Sequence, residues 1–149
     1  MIRQALAADT QAIQELTHQT IRSIYPHYYP QGAVSFFLTH HSSERIAEDI
    51  RQQQVFVLEK EGLLGTVTLK NNEICRLFVW PEYQGSGYGR VLLEFAEATI
   101  STHSELIRLD ASLPSKIIYL NRGYQEVSSN CILAENGDYL CYDTLEKRM

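Results

Sequence analysis

The sequence predicts an α+β fold in which a mainly helical first third is followed by a strand meander, a βαβ crossover and a closing hairpin. Three observations carry this. Apolar residues recur at helical spacing as far as Ile50, short β-branched runs begin after Gln54, and Asn136-Gly137 marks a tight hairpin near the C-terminus. At 149 residues the chain fits a single domain spanning 1–149, and a chain of that size buries roughly 68–70% of its unfolded surface, enough for a core without staples. A composition of 44% hydrophobic and 21% charged residues, with four prolines and eight glycines, excludes disordered and collagen-like classes.

Ile2 to Ala5 is too short to assign alone. Asp9 then offers an N-cap carboxylate to a helix with Ile13, Leu16, Thr20, Ile21 and Ile24 on one face. Pro26 and Pro30 interrupt it. A second helical stretch carries Val34, Phe37 and Leu38, and a third, capped by Ser43, carries Ile46, Ala47 and Ile50. Val55 to Leu58 and Leu64 to Leu69 read as a hairpin about Glu61-Gly62, and Asn71-Asn72 turns the chain into a strand from Ile74 to Val79 that Pro81 ends. Val91, Leu92, Phe95, Ala96 and Thr99 then line a helix. Ile107 to Ala111 is a strand, Pro114 opens a helix through Leu120, and Gly123 closes it. Strands around Asn130–Leu133 and Tyr139–Leu145 complete the fold.

Several function classes drop out. A net charge of −5 is wrong for a nucleic-acid binder, which needs cationic surface to displace counterions from phosphates. Cys75, Cys131 and Cys141 make an odd count without CxxC spacing, so neither a disulfide framework nor a zinc site is indicated, and each reads as a small buried hydrophobe. His40-His41 lacks a third ligand nearby, so no metal site is expected. The N-terminus has no apolar signal core and no run approaches a membrane span, which makes the expected location cytoplasmic and no membrane partner expected.

The chemistry concentrates in Gln84-Gly85-Ser86-Gly87-Tyr88-Gly89. Alternate glycines allow positive φ and close backbone approach, so successive N–H groups can line one concavity. The helix that starts there adds its unpaired first-turn donors and ~0.3–1 kcal/mol of dipole attraction, which suits a diphosphate. The spacing is G-x-G-x-G, not the G-x-G-x-x-G of a dinucleotide fold, and the Gly-Lys-Ser/Thr of a P-loop is missing. Read alone, the glycines also fit a tight strand-to-helix turn that holds nothing.

The run from Glu73 to Leu93 resembles motif A of the GNAT superfamily of acyl-CoA-dependent N-acetyltransferases, with its Gln/Arg-x-x-Gly-x-Gly/Ala signature at Gln84, Gly87 and Gly89. A second segment, Leu109 to Tyr124, resembles the family's strand-then-helix motif ending in Tyr-x-x-x-Gly-aromatic at Tyr119, Gly123 and Tyr124. The resemblance implies a mixed sheet of about six to seven strands with a splayed central pair, flanked by about four to five helices. It also implies acetyl-CoA as cosubstrate, its pantetheine pairing with the backbone of Leu77, Phe78 and Val79. Its pyrophosphate would meet Gln84, Gly85, Ser86, Gly87, Tyr88, Gly89 and Arg90. Ser112 stands where many relatives carry Asn, and either bonds the cofactor or caps the helix.

In the implied reaction a neutral primary amine of a small molecule or peptide attacks the thioester directly. An alkylamine with a pKa of ~10.4 is almost entirely protonated at pH 7, so a base must act, and Glu73 is the candidate. Glu73 also fits a solvated residue beside a turn. A backbone N–H near Val79 would polarise the carbonyl. Tyr119 occupies the family's general-acid position for the leaving thiolate, though an aromatic beside Ile117, Ile118 and Leu120 can also simply pack. Tyr25, Tyr28, Tyr29 and Phe37 stand where relatives form the acceptor wall and could stack on a cation, while core or interface packing is the other reading. The rival function is a non-catalytic acyl-CoA sensor with the same fold. A homodimer is compatible with either.

Overall fold

In the computed structural model, which describes all 149 residues, the change of period at Gln54 separates three N-terminal helices from the strand meander that follows. Helix α1 (Thr10–Ile24) buries Ile13, Leu16, Thr20 and Ile21 of the predicted stripe, and Thr17 beside them, while Ile24 at its end is only partly buried. Asp9 precedes it but does not cap it. The chain enters through a 3₁₀ turn, Ala7–Asp9, and the Asp9 carboxylate folds back to accept the Leu6 N–H at 2.8 Å and the Arg3 guanidinium at 2.8 and 3.0 Å. After a second 3₁₀ turn at Tyr25–His27, Pro30 leads into α2 (Gln31–His40), and α3 (Ser43–Arg51) follows. The cap of α3 is Ser42, one residue earlier than expected, because its extended backbone aims the hydroxyl at the Arg45 N–H, 3.3 Å away.

The sheet comprises β1 (Ile2–Gln4), β2 (Val55–Glu59), β3 (Leu63–Lys70), β4 (Glu73–Ile74), β5 (Phe78–Val79), β6 (Leu106–Ala111), β7 (Gln125–Leu133) and β8 (Tyr139–Arg148). Its order is β1-β2-β3-β4-β6-β8-β7, with β5 paired to β3 alone. Every pairing is antiparallel except β4 with β6, which the crossover helix α4 (Tyr88–Ser101) connects. A short helix, α5 (Lys116–Asn121), follows β6; it begins after Pro114 because a turn at Ser112, whose carbonyl takes the N–H of Ser115 and Lys116, comes first. Gly123 ends it with φ +97°, as a C-terminal glycine should.

The strand expected from Ile74 to Val79 is broken. Cys75 donates its N–H to the Thr68 carbonyl at 2.8 Å while Thr68 donates to the Arg76 carbonyl at 3.1 Å, so two residues oppose one and the strand bulges. The buried Arg76 guanidinium fixes the bulge, reaching Thr68 Oγ1 at 3.0 Å, His41 Nδ1 at 3.1 Å and Asp49 Oδ2 at 3.1 Å. A buried charge is tolerable only with such partners. Beyond the bulge, β5 stays with β3 while β6 stays with β4, and the two central strands splay into a cleft.

Leu92, Leu93, Ala96 and Ile100 pack α4 onto one face of the sheet with Val67, Ile107, Leu109 and Leu145. Val91 is exposed, since three consecutive apolar residues cannot all face inward, and buried Glu97 joins the inner face by binding Arg122 and the Tyr124 hydroxyl. Leu16, Ile21, Tyr25, Tyr29, Phe78 and Leu140 form a second core under α1 and α2. The cysteines are not buried as expected: Cys131 is exposed on β7 at the sheet edge, and Cys141, opposite it on β8, and Cys75, in the central bulge, are partly so. That hairpin is longer than predicted because the polar start of β7 carries no apolar alternation. No helix is long and apolar enough to cross a membrane.

Candidate active site

One end of the cleft is made of main chain. Gly85 and Gly87 take φ of +81° and +88°, and an added Cβ at either would meet nothing, so conformation rather than crowding demands glycine there. The first amide of this stretch with an acceptor is that of Val91, which bonds the Gly87 carbonyl at 3.1 Å. The N–H groups of Gly85, Ser86, Gly87, Tyr88, Gly89 and Arg90 donate to nothing in the protein. These donors and the positive end of α4 form a nest for an anion.

Gln84 differs from its neighbours. Its N–H closes a 3₁₀ turn on the Pro81 carbonyl at 3.3 Å, and its Nε2 donates to the Val79 carbonyl at 3.1 Å, so it braces the nest against β5. The Arg90 side chain lies along α4, paired with Glu94 at 3.0 Å and exposed. Only its main chain belongs to the nest. Gly89 sits in the first helical turn with ordinary dihedral angles and room for a Cβ.

Next comes β5. Trp80 donates to the Leu64 carbonyl at 3.0 Å, and antiparallel alternation then turns the N–H of Val79 away from β3, toward the side where β6 has diverged. The Val79 carbonyl is occupied by Gln84 and, at 3.4 Å, by Thr20 Oγ1. Phe78 is buried, and Leu77 is partly buried against the sheet core.

The far end is made of side chains. Tyr25 donates its hydroxyl to Ser112 Oγ at 3.3 Å, and Ser112 Oγ lies 2.9 Å from Ser115 Oγ. Tyr119 is buried with its ring edge-on to Tyr124 at 5.6 Å, yet its hydroxyl bonds no protein group and is not sealed from solvent. Burial, with Tyr25 close by, pushes the Tyr119 pKa up, so the phenol holds its proton. Tyr29 accepts the Leu113 N–H at 2.7 Å and donates to the Cys141 carbonyl at 3.1 Å. Phe37 packs on both Tyr25, 4.7 Å between centroids, and Tyr29, 5.1 Å. Tyr28 is 52% exposed and stays outside this group.

Glu73 opens β4, paired with Lys70 on one side and with Arg108 of β6 on the other. It is partly buried, and burial followed by repulsion from Asp110 raises its pKa above the ordinary carboxylate value. Asp110, which accepts the Thr144 hydroxyl at 2.8 Å, is a neighbour that no motif pointed to. His41 is likewise unforeseen in its role: burial and then the Arg76 charge push its pKa down to about 2, keeping it neutral so that Nδ1 can accept from Arg76. No spacing in the sequence links His41 to Arg76, which lies 35 residues further along.

A family model described as an acetyltransferase (GNAT) domain matches residues 24–137. The chain belongs to the GNAT acetyltransferase family. Its fold is similar to a GCN5-related N-acetyltransferase from Rhodopseudomonas palustris, with a TM-score of 0.91 and 21% identity over 100% of this chain and 95% of that one. It is also similar to PaiA N-acetyltransferase from Thermoplasma acidophilum, solved with coenzyme A, at a TM-score of 0.77 and 19% identity over 100% and 98% of the two chains. A third match is the ribosomal-protein-alanine N-acetyltransferase from Brucella melitensis, at 0.72 and 16% over 100% and 99%. No curated protein matches the sequence.

Proposed function

We propose that the 149 residues act as one domain that transfers the acetyl group of acetyl-CoA to a primary amine of a small molecule or peptide, by direct attack on the thioester. The observation that carries this reading is the unpartnered Tyr119 hydroxyl at the end of a cleft whose opposite end is a nest of free amides. A sensor needs the nest alone. A phenol without a protein acceptor has its proton free for the departing sulfur, although burial raises its pKa and makes that proton harder to release.

The amides from Gly85 to Arg90 bind the pyrophosphate, and the Leu77-to-Val79 segment offers the pantetheine arm the main-chain groups that β3, Gln84 and Thr20 do not occupy. The Val79 N–H donates to the thioester oxygen, where charge develops in the tetrahedral transition state. Glu73 draws the proton from the incoming ammonium through water; its raised pKa brings it nearer to the pH at which a base works best. Tyr119 protonates the sulfur. Ser112, held by Tyr25, keeps the start of α5 in place for this transfer. Tyr25, Tyr29 and Phe37 form the acceptor wall, and the exposed Tyr28 is left out of it. The CoA complex of the Thermoplasma protein and the alanine acceptor named for the Brucella protein support the donor and the amine class.

The test is to incubate the protein with acetyl-CoA and a panel of amines, peptides and aminoglycosides while following free thiol. Acceptor-dependent thiol release is the expected result. Tight CoA binding with no release above background for any acceptor would overturn the enzyme in favour of the sensor.

A further inference from the structure

The hairpin β7–β8 carries two thiols that acetyl transfer does not use. Cys131 and Cys141 are direct cross-strand partners with their sulfurs 2.7 Å apart. Both are free, Cys131 exposed and Cys141 partly exposed. Residues directly opposed in an antiparallel pair hold their Cα atoms ~4.5–5.5 Å apart, within the ~4.4–6.8 Å that a disulfide spans. A bond can therefore close without backbone movement. Cys75 lies apart in the central bulge, and burial pushes its thiol up to about 12, so it competes poorly as a nucleophile.

We propose that Cys131 and Cys141 are a reversible modification site, closing to a disulfide on exposure to a low-molecular-weight disulfide and thereby slowing transfer to the acceptor without weakening cofactor binding. In the first step the Cys131 thiolate attacks one sulfur of the small disulfide and expels a thiolate. Cys141 then loses its proton and attacks Cys131 Sγ, expelling the second. One S–S bond forms in the protein and one is cleaved in the small molecule; the protein pair is oxidised, the small disulfide is reduced, and the two thiol protons end on the two released thiols.

The link to the acceptor side runs through the hairpin and rests on the acetyltransferase reading above. The tip beyond the two cysteines reaches α2, where Asp138 Oδ2 accepts the Gly32 N–H at 2.8 Å. The Cys141 carbonyl accepts from Tyr29, whose oxygen holds the Leu113 N–H next to Ser112. Stapling the strands just below the tip stiffens the segment that holds Tyr29 and, through it, the Ser112–Leu113 turn beside the proposed acceptor wall. None of these bonds touches the amide nest at the head of α4.

The intact protein is treated with oxidised glutathione, alkylated and mapped by mass spectrometry, with kinetics and CoA affinity measured alongside. Expected are a loss of mass equal to two hydrogens, a peptide pair joined through Cys131 and Cys141, alkylated Cys75, and reversal by dithiothreitol. The acceptor kcat/KM falls several-fold, the Kd for CoA stays constant, and Cys131→Ser keeps the untreated activity but ignores the oxidant. Persistent glutathione on Cys131, a bond involving Cys75, or no reaction would overturn the site. A closed bond with unchanged acceptor kinetics would overturn its effect on transfer. Mass alone decides closure, so the site stands or fails independently of the acetyltransferase reading.

Discussion

At the head of α4 the cleft is built from consecutive main-chain amides between Gly85 and Arg90, set by two left-handed glycines; at its other end Tyr25, Tyr29 and Phe37 meet Ser112, Leu113 and Cys141, which lie some hundred residues further along. The first is local and needs only that the backbone take a certain path. The second exists only when α1, α2, the β6–α5 turn and the hairpin have docked. Substitutions at the nest should therefore touch one ligand, whereas substitutions at the side-chain end should touch chemistry, acceptor and stability together.

The largest effect is expected at Tyr119, the one residue of the side-chain end that the proposed reaction uses only in its chemical step. Tyr119→Phe keeps the ring against Tyr124 and removes only the hydroxyl, so kcat should drop on the order of 10³-fold, within the range of general acids. Calorimetry should find the Kd for acetyl-CoA unchanged. Equal losses in both would place Tyr119 in cofactor binding instead.

Glu73→Gln comes next, with a loss on the order of 10²-fold near neutral pH. Because burial and Asp110 raise the Glu73 pKa, the wild-type rate should rise with pH through a point above the ordinary carboxylate value, as the base ionises. In the Gln variant that acidic limb should vanish, and the deficit should shrink at alkaline pH where the amine sheds its own proton. A parallel pH–rate profile in both proteins would remove Glu73 from the proton path.

At the nest the effect is smaller and confined to the donor. Gly87→Ala forces a side chain into φ of +88°, costing about 1–2 kcal/mol of backbone strain if the loop holds its shape. If the loop relaxes instead, amides turn away from the pyrophosphate. Strain carried equally with and without CoA lowers stability alone; where the loop relaxes, the Kd for CoA should weaken by roughly tenfold per ~1.4 kcal/mol lost, with the acceptor KM unaltered.

The same contrast explains what the sequence revealed. The nest was legible because its requirement is conformational and glycine states it directly, and Tyr119 was legible through its fixed distance from Gly123. The bulge was not, since Arg76 is held by His41, Asp49 and Thr68, partners with no common spacing. Nor could the sequence separate Tyr28 from Tyr25 and Tyr29, because a 3₁₀ turn at Tyr25–His27 sets which aromatics point inward. The thiol pair lay between these cases. Cys131 and Cys141 are equidistant from Asn136, and a hairpin centred there makes them partners, but counting cysteines by parity hides what counting from the turn exposes.

The smallest predicted effect probes where the two kinds of construction meet. Gly32 lies in the first turn of α2 with ordinary helical geometry, so an alanine there is not strained by its backbone. Its absent side chain matters because a Cβ would overlap the Asn136 side-chain amide. In Gly32→Ala the Asn136 side chain must swing away, giving up its bond from the Asp138 N–H at 3.1 Å, and the Gly32–Asp138 bond at 2.8 Å loosens with it. One or two exposed hydrogen bonds set the scale, about 1 kcal/mol of stability in a denaturant titration. The acceptor KM should change with it while the Kd for CoA does not. Adding Asn136→Ala removes the clash and should recover part of the loss, whereas additive losses would show that the hairpin tip and α2 do not bear on one another.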